Sequence, residues 1–565
     1  MSLVLNELII VKRSGQRVPF NGAKIALAIK KAFDATSDKY NEKDINLVYG
    51  NVLNQIEIDY CDRKTINVED IQDLIEKELK NSKYIDVYES FSTYRMKRTS
   101  SREAFSIKQQ HKFVKAIEKL ILAVETKESD RPMSVLNLFG KTVSSEFAKS
   151  YLIDNKYVKA HEEGLIYIHE LDSYALMVVT SVNVDISNLE FKGSYFSFLA
   201  NILLGLKEEV SNEVLIDNFD LVISDYALYK YQKILIGFIN CYFELSGLLP
   251  YINIKKIEEL IFKEEDLNIN INKYSDYLLT DEVKKVFTKC MNLSQNKLIE
   301  YLTKHIKELI KTLDENGVGI NDSNYTIILK EDNIITNVVY DIIKNNEAYK
   351  NVSIGTFKKV IKGKNMYITN NSSFKDKMII KDNIYHEKEA LGRMILANSS
   401  LNLTRLGLIH RTYNKAFKED LVSMLDLVKG HLLQTFEGIA NKHKESYKYS
   451  FSNSLIKEDE KLSGGGRIRK VIKNGTLNIN LVGLSECAFL LNIKEEEILK
   501  FITKYICEYT KETRLNFRLS NIDLENVRSK FLSMDKAIYG EIKGVTDKSA
   551  YIGFASEYFN GGFDA

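Results

Sequence analysis

The chain contains no tryptophan and only three prolines in 565 residues. Beside abundant Asn, Lys and Ile, that shortage reads as base-composition bias rather than as a structural constraint. Its five cysteines, Cys61, Cys241, Cys290, Cys487 and Cys507, form no Cys-x-x-Cys pair. This excludes a thiolate zinc ribbon and argues against a disulfide framework. Each sits in an apolar or helical setting, and most read as small buried hydrophobes. Charge of one sign is also missing: 79 basic against 77 acidic residues leave a net charge of +2. That offers no electrostatic case for nucleic-acid binding, and no basic stripe interleaves the aromatic residues. No apolar run reaches the roughly 18 residues of a membrane helix. The N-terminal MSLVLNELIIVKRSG has an early Glu and no basic n-region, so no signal peptide is expected and a cytoplasmic protein is the default. No repeat of 20 to 50 residues is visible.

What is present starts with LIIVKRSGQRVPFNGAKI near the N-terminus. A short apolar strand, Leu8 to Val11, runs into Lys12 and Arg13. A turn at Ser14-Gly15 leads to a second strand, Gln16 to Phe20, and Asn21 fits the N-cap of a helix carrying Lys24 in its first turn. This order gathers cations and free backbone N–H groups around one spot, as a phosphate site requires. The competing reading is a hairpin with solvated lysines. The stretch resembles the ATP-cone, the small nucleotide-sensing module at the N-terminus of many ribonucleotide reductases. Val11, Lys12, Arg13, Gly15, Pro19, Phe20 and Lys24 fall on its opening motif. Ile71, Gln72, Glu76, Tyr94 and Arg95, within residues 66 to 98, fit its closing helices. The resemblance implies an ATP-cone over residues 1–98 that binds ATP or dATP. Val11, Lys12, Arg13, Gly15 and Lys24 would be its nucleotide-binding residues, with the triphosphate near Lys12, Arg13 and Lys24.

The length leaves room for two to four domains, or one large barrel with an appendage. Residues 99 to 110 read as a polar connector, and KFVKAIEKLILAV as a helix with Phe113, Ile117, Leu120 and Ile121 on one face. Further helices are expected up to Gly164, strands from Ile166 to about Glu190, and long helices over 195 to 315. Shorter strands follow over 316 to 405, helix over 411 to 447, and a loop over 452 to 466. VIKNGTLNINLVGL carries Asn474-Gly475, a strong hairpin signal. Helices at 494 to 513 and 523 to 532 precede a strand-like tail.

A second resemblance lies in islands of the large region. AHEEGLIYIHELD (160 to 172), GRMILANSSLNLTRLGL (392 to 408), GLSE (483 to 486), TRLNFRLS (513 to 520) and GVTDKSAY (544 to 551) occur in one order. They resemble the anaerobic, class III, glycyl-radical ribonucleoside-triphosphate reductases. Ser400, Asn402, Leu403 and Arg405 match the family's strand core, while Tyr167 and Glu170 stand where His and Asp are usual. The implied fold is α/β: an N-terminal ATP-cone, then a large reductase-type barrel over residues 111–565 with helical insertions, diverged over 195–315.

That family's chemistry needs a glycyl radical in an Arg-x-Cys-Gly-Tyr-type loop, a thiyl-forming barrel cysteine, a further cysteine and a four-cysteine zinc site. Thr180 and Ser181 lie where the first barrel cysteine is expected, and the stretch shortly before the strand at 392, where the thiyl cysteine is expected, contains none. The expectation is that the C-terminal zinc and radical region is absent, with Gly561 and Gly562 in a flexible tail. A hydroxyl cannot substitute for the thiol, because its O–H bond is far stronger than S–H.

Two other clusters read as bland. His161, His169, Glu162, Glu163, Glu170 and Asp172 could compose a metal site, but hydrogen-bonding roles at a helix-to-strand turn fit better. Ser463 to Gly466 before Arg467 lacks the Lys-Ser/Thr ending of a P-loop and reads as a loop. The resulting expectation is an ATP- or dATP-binding, catalytically silent relative of the anaerobic reductase, with no catalytic residues and no metal. It would act by regulation or scaffolding, as a homodimer or with an active reductase. The alternative is an active reductase, or a subunit of one, making dNTPs with the radical site on another chain.

Overall fold

The computed structural model describes residues 5, 8–11, 17–36, 40–62, 64–104, 114–115, 118, 132–190, 194–267, 269–316, 324–344, 349–356, 366–368, 390–462, 466–520 and 525–553. Contacts divide the chain into two compact units, residues 1–118 with 150–152, and residues 119–149 with 153–565. No described helix is long and apolar enough to cross a membrane.

The first unit contains β1 (Ile9–Val11), β2 (Arg17–Pro19), α1 (Gly22–Asp34), α2 (Glu42–Asp59), β3 (Thr65–Asn67), α3 (Val68–Asn81) and α4 (Ile85–Ala104). β1 is central: Ile10 pairs antiparallel with Val18 and parallel with Ile66. The helices start where short polar side chains satisfy their first N–H groups. Asn21 accepts from Ala23 N at 3.0 Å, and Asn41 with Asp44 forms a capping box on α2. Ile25, Ile29 and Phe33 from α1, Val48, Val52 and Ile56 from α2, and Ile71, Ile75 and Leu79 from α3 close one apolar core over the sheet. These fall at helical spacing, so each helix buries a single stripe. The polar stretch from 99 continues α4 to Ala104 rather than breaking at once. Polarity alone does not distinguish a helix from a connector.

The second unit opens with α5 (Pro132–Phe147) and α6 (Asn155–Glu162), and Gly164, at φ +74°, ends the helical run as expected. There follow β4 (Ile166–Ile168), β5 (Val179–Val184), α7 (Tyr195–Leu206), β6 (Val210–Ile216), α8 (Phe219–Leu245), α9 (Ile254–Ile261), α10 (Asp281–Glu315), β7 (Asn324–Leu329), α11 (Ile334–Lys344), β8 (Val352–Thr356) and β9 (Met366–Ile368). The remainder is β10 (Met394–Asn402), α12 (Leu403–His410), α13 (Lys415–Ala440), α14 (Lys448–Ser452), α15 (Arg469–Ile472), β11 (Thr476–Val482), α16 (Leu484–Leu491), α17 (Glu495–Thr513), β12 (Asn516–Ser520) and α18 (Glu525–Tyr539).

The strands run in the order β12-β11-β10-β5-β6-β7-β8-β9, with β4 also on β10. β5 to β9 are mutually parallel, as are β10 to β12, and the two runs meet antiparallel through Met394↔Val182. Helices fill the crossovers, so β5 and β11 are buried along their whole length, as parallel strands covered on both faces must be. α8, α9 and α10 form the helical insertion. This is the expected α/β architecture.

Local expectations failed at three places. VSNEVLI is a strand, β6, inside the stretch read as helical; its alternation is too short to stand out between two long helices. Asn474-Gly475 joins α15 to β11 and makes no hairpin. β11 lies between two parallel neighbours distant in sequence, and a Cβ on Gly475 would come within 2.6 Å of the Met394 carbonyl. The glycine thus serves close approach rather than a tight hairpin. The described part of the tail after α18, up to Gly553, forms an isolated bridge, Val482 to Gly553, rather than a strand. Phe113, Ile117, Leu120, Ile121, Ser463 to Gly465, Gly561 and Gly562 lie outside the described residues.

Candidate functional site: a polar barrel face and a basic helix start

Of the five residues expected to bind nucleotide, Val11 and Lys24 are described, whereas Lys12, Arg13 and Gly15 are not. Val11 ends β1, paired with Arg17 on one side and Asn67 on the other. Lys24 is exposed in the first turn of α1, which carries no acidic residue. The positive end of the helix dipole is therefore uncompensated there, the electrostatics an anion favours. Glu76 and Arg95 do something else. Arg95 donates to Glu76 at 2.7 Å and to Glu69 at 3.3 Å, and pairs with Asp73 at 2.5 Å, tying α4 to α3.

In the second unit the strand register sorts the side chains of β10, β11 and β12 onto two faces. Ala397 with Leu477 and Phe517, then Ser399 with Ile479 and Leu519, form one of them. The other carries Ile395 with Thr476 and Asn516, Asn398 with Asn478 and Arg518, and Ser400 with Asn480 and Ser520. Across the junction Ile395 pairs with Ser181, and Asn183 continues that row system to Leu215, Thr326 and Ser353. A cavity of ≈ 10 Å³ on this polar face is lined by Ser181, Asn183, Arg393, Thr476 and Arg518, among others. That volume holds about one water.

The polar face is buried but not internally satisfied. Asn398, Asn478, Asn480, Thr476 and Asn183 are each at most 4% exposed. All five have side-chain atoms without a protein partner among the described residues: the Oδ1 of Asn183, Asn398 and Asn480, both amide atoms of Asn478, and Thr476 Oγ1. Each such group costs roughly 1–3 kcal/mol unless something bonds it. That the asparagines of ANSSLN and LNINLV line one face is not among the expectations from sequence. The signal was there, as residues poorly suited to strands recurring at period two.

The fold brings the islands of resemblance together. Asp535, fully buried, accepts from Asn402 Nδ2 at 3.0 Å, from Tyr551 Oη at 2.8 Å, and from Arg405 Nε. Asn402 also donates to the Gly164 carbonyl at 3.0 Å and Arg405 to that of Glu163 at 3.0 Å. Glu486 accepts from Lys548 Nζ and Ile552 N, both at 3.0 Å, and Thr404 Oγ1 donates to the Gly483 carbonyl at 3.3 Å. Asp535 itself was not singled out from the sequence, since a lone Asp on an amphipathic helix gives no signal.

His161 and His169 are held apart in separate hydrogen bonds. His161 Nδ1 accepts from Ile168 N at 3.1 Å, and His169 Nε2 lies 2.6 Å from Ser400 Oγ. Tyr167 packs between the two rings, at 5.0 and 4.9 Å. Burial drives both imidazoles down to about 3. Glu170 is pushed up to about 7 by burial, against bonds from Thr180 at 3.1 Å and Asn398 at 3.5 Å. Among the described residues no three His, Cys, Asp or Glu side chains converge as a metal would need.

Comparison with known proteins follows this geometry. Residues 8–100 match the ATP cone domain. Residues 125–198 and 281–563 match the anaerobic ribonucleoside-triphosphate reductase family, leaving 199–280 unmatched within the stretch read as diverged. The anaerobic ribonucleoside-triphosphate reductase of Haemophilus influenzae is 24% identical over 615 residues, 96% of this chain and 80% of that protein. The Escherichia coli protein of the same name is 20% identical over 594 residues, with the same shares. Among solved structures, the anaerobic ribonucleotide reductase from Thermotoga maritima in complex with dATP and CTP matches with a TM-score of 0.45 at 13% identity, over 76% of this chain and 75% of that one. With the family's model covering most of its length, the chain belongs to the anaerobic ribonucleoside-triphosphate reductase family and carries an N-terminal ATP cone domain.

Proposed function

We propose that this chain senses ATP or dATP through its N-terminal unit and does not itself perform the family's thiyl chemistry, acting instead by association with itself or with an active anaerobic reductase. The observation that carries this reading is the residue chemistry of the inner strands. Ser181, Asn183, Asn398, Ser400, Asn478 and Asn480 occupy the polar face, and the chain has no cysteine between Cys290 and Cys487. Cys290 and Cys487 are both buried in helices, α10 and α16, where burial pushes their thiols up to about 11 and about 12. Nucleotide sensing is supported by the cone match, by Lys24 on an uncompensated helix start, and by the basic pair Lys12-Arg13 in the sequence. Titration calorimetry with ATP and dATP tests the first half. Binding that is absent, or unchanged in the Lys12→Ala/Arg13→Ala protein, would overturn it.

A second reading, an active reductase or a subunit of one with its radical site on another chain, draws on a different observation. The partnerless amide atoms on the buried polar face fit a surface completed by a polar ligand. Cys241 or Cys290 would then have to form the thiyl radical from a helix. Anaerobic turnover with a radical-generating partner separates the two readings: any deoxyribonucleotide formed rules out the silent one.

A further inference from the structure

A second cavity, of ≈ 20 Å³, lies against β10, between the turn after β4 and α13. Its polar lining comes from Glu170, His169, Tyr174, Asn398, His431 and Thr435. The hydrogen-bond count there is unbalanced. Thr435 Oγ1 is engaged by the His431 carbonyl at 3.0 Å and the Tyr174 hydroxyl at 3.2 Å, and His169 Nε2 by Ser400. Both ring nitrogens of His431, 1% exposed, and Oδ1 of Asn398, 4% exposed, have no partner among the described residues. Among the described residues Glu170 receives the Thr180 hydroxyl and the Asn398 amide, and the charge that acts on it is a second carboxylate, Asp172. A buried carboxylate without a cationic neighbour is costly unless a proton or a cation accompanies it. Glu170 is also held at φ +49°, a left-handed conformation that costs a residue with a Cβ about 1 kcal/mol or more.

We propose that this cavity binds a small monovalent cation, ammonium being the ion that fits, held between the Glu170 carboxylate, the Asn398 carbonyl oxygen and the His431 ring. The size suits a water-sized species. The lining offers a negative charge, an amide oxygen and an imidazole nitrogen, so its occupant must be rich in donors; ammonium supplies four N–H groups. Burial, which lowers His431 to about 4, keeps the ring neutral and able to accept. Potassium has nearly the same radius but cannot donate to a ring nitrogen.

The test uses the full chain in ammonium, potassium or choline chloride at equal ionic strength. A saturable upward shift of Tm in ammonium, smaller in potassium and lost in Glu170→Gln, is the expected result. Equal melting in all three salts, an equal response to potassium, or an ammonium response retained in Glu170→Gln would overturn the proposal. Should that variant fail to fold, ¹⁵N-ammonium NMR on the unmodified chain decides. A protein-bound resonance supports the site, and its absence at saturating ammonium means that water alone occupies the cavity.

Discussion

At the scale of single residues, Asp535 carries more structure than its sequence context suggests. One carboxylate, without exposure to solvent, receives Arg405 and Asn402 from the start of α12 and Tyr551 from the segment after α18. Removing one partner of a buried ion pair leaves a charge that neither water nor protein satisfies. Arg405→Leu is therefore expected to destabilise the chain by about 3–5 kcal/mol in urea unfolding. Tyr551→Phe, which removes one neutral donor, should cost only about 1–2 kcal/mol. Equal effects would mean that the pair contributes nothing special. Lys24 belongs to the same scale. If the start of α1 faces a phosphate, Lys24→Ala should weaken ATP binding roughly tenfold, about 1.4 kcal/mol, with Tm unchanged because the side chain is exposed. Calorimetry beside thermal melting separates a lost contact from a lost fold.

Among elements, the tightest junction joins the end of β11 to the start of α16. Gly483 sits there at φ +76°, and a Cβ would meet Thr404 Oγ1 at 1.8 Å. Gly483→Ala should destabilise by at least about 2 kcal/mol, through both the backbone conformation and the displaced threonine. A melting curve identical to the unsubstituted chain would show that the two helices can separate freely. This scale also exposes what the sequence could tell about strands. β10 was legible as a strand from the family resemblance of its motif, β11 from the stretch after Asn474-Gly475, and β1 and β2 from the apolar run and the Ser-Gly turn. β6 was hidden because seven residues flanked by long helices carry too little periodicity. Asn474-Gly475 misled because a local turn preference says nothing about which distant strand will lie alongside. Glu76 and Arg95, read as motif residues, turn out to brace α4 on α3, a contact fixed by helix packing rather than spacing.

For the whole molecule, acid stability follows from groups buried uncharged. His161, His169 and His431 sit at about 3, 3 and 4, below the ordinary imidazole value near 6.5. Between those limits the unfolded chain binds three protons that the folded chain refuses, so their stabilisation is complete above pH 6.5 and is lost as pH falls. Glu170 works the other way: at about 7, the folded chain keeps its proton above the unfolded value, so its contribution fades as pH rises toward 7. Glu209 and Asp220, also raised by burial, lean with Glu170. The histidines outnumber the strongest opponent three to one. In ammonium-free buffer, stability should drop by about 1–2 kcal/mol per pH unit between pH 6 and 5. A flat Tm across that interval would contradict the buried, neutral histidines. The sequence by itself determined the family, the α/β class, the ATP cone and the lack of cysteine along the inner strands. Those are matters of composition and of short motifs whose residues are neighbours in the chain. Only the tertiary structure decided that four distant islands meet at Asp535 and Glu486, that serine and asparagine from separate strands line one buried face, and that His431 shares a cavity with Glu170. Each depends on strand register and helix docking, where contacts are made between residues hundreds of positions apart and no local pattern records the partner.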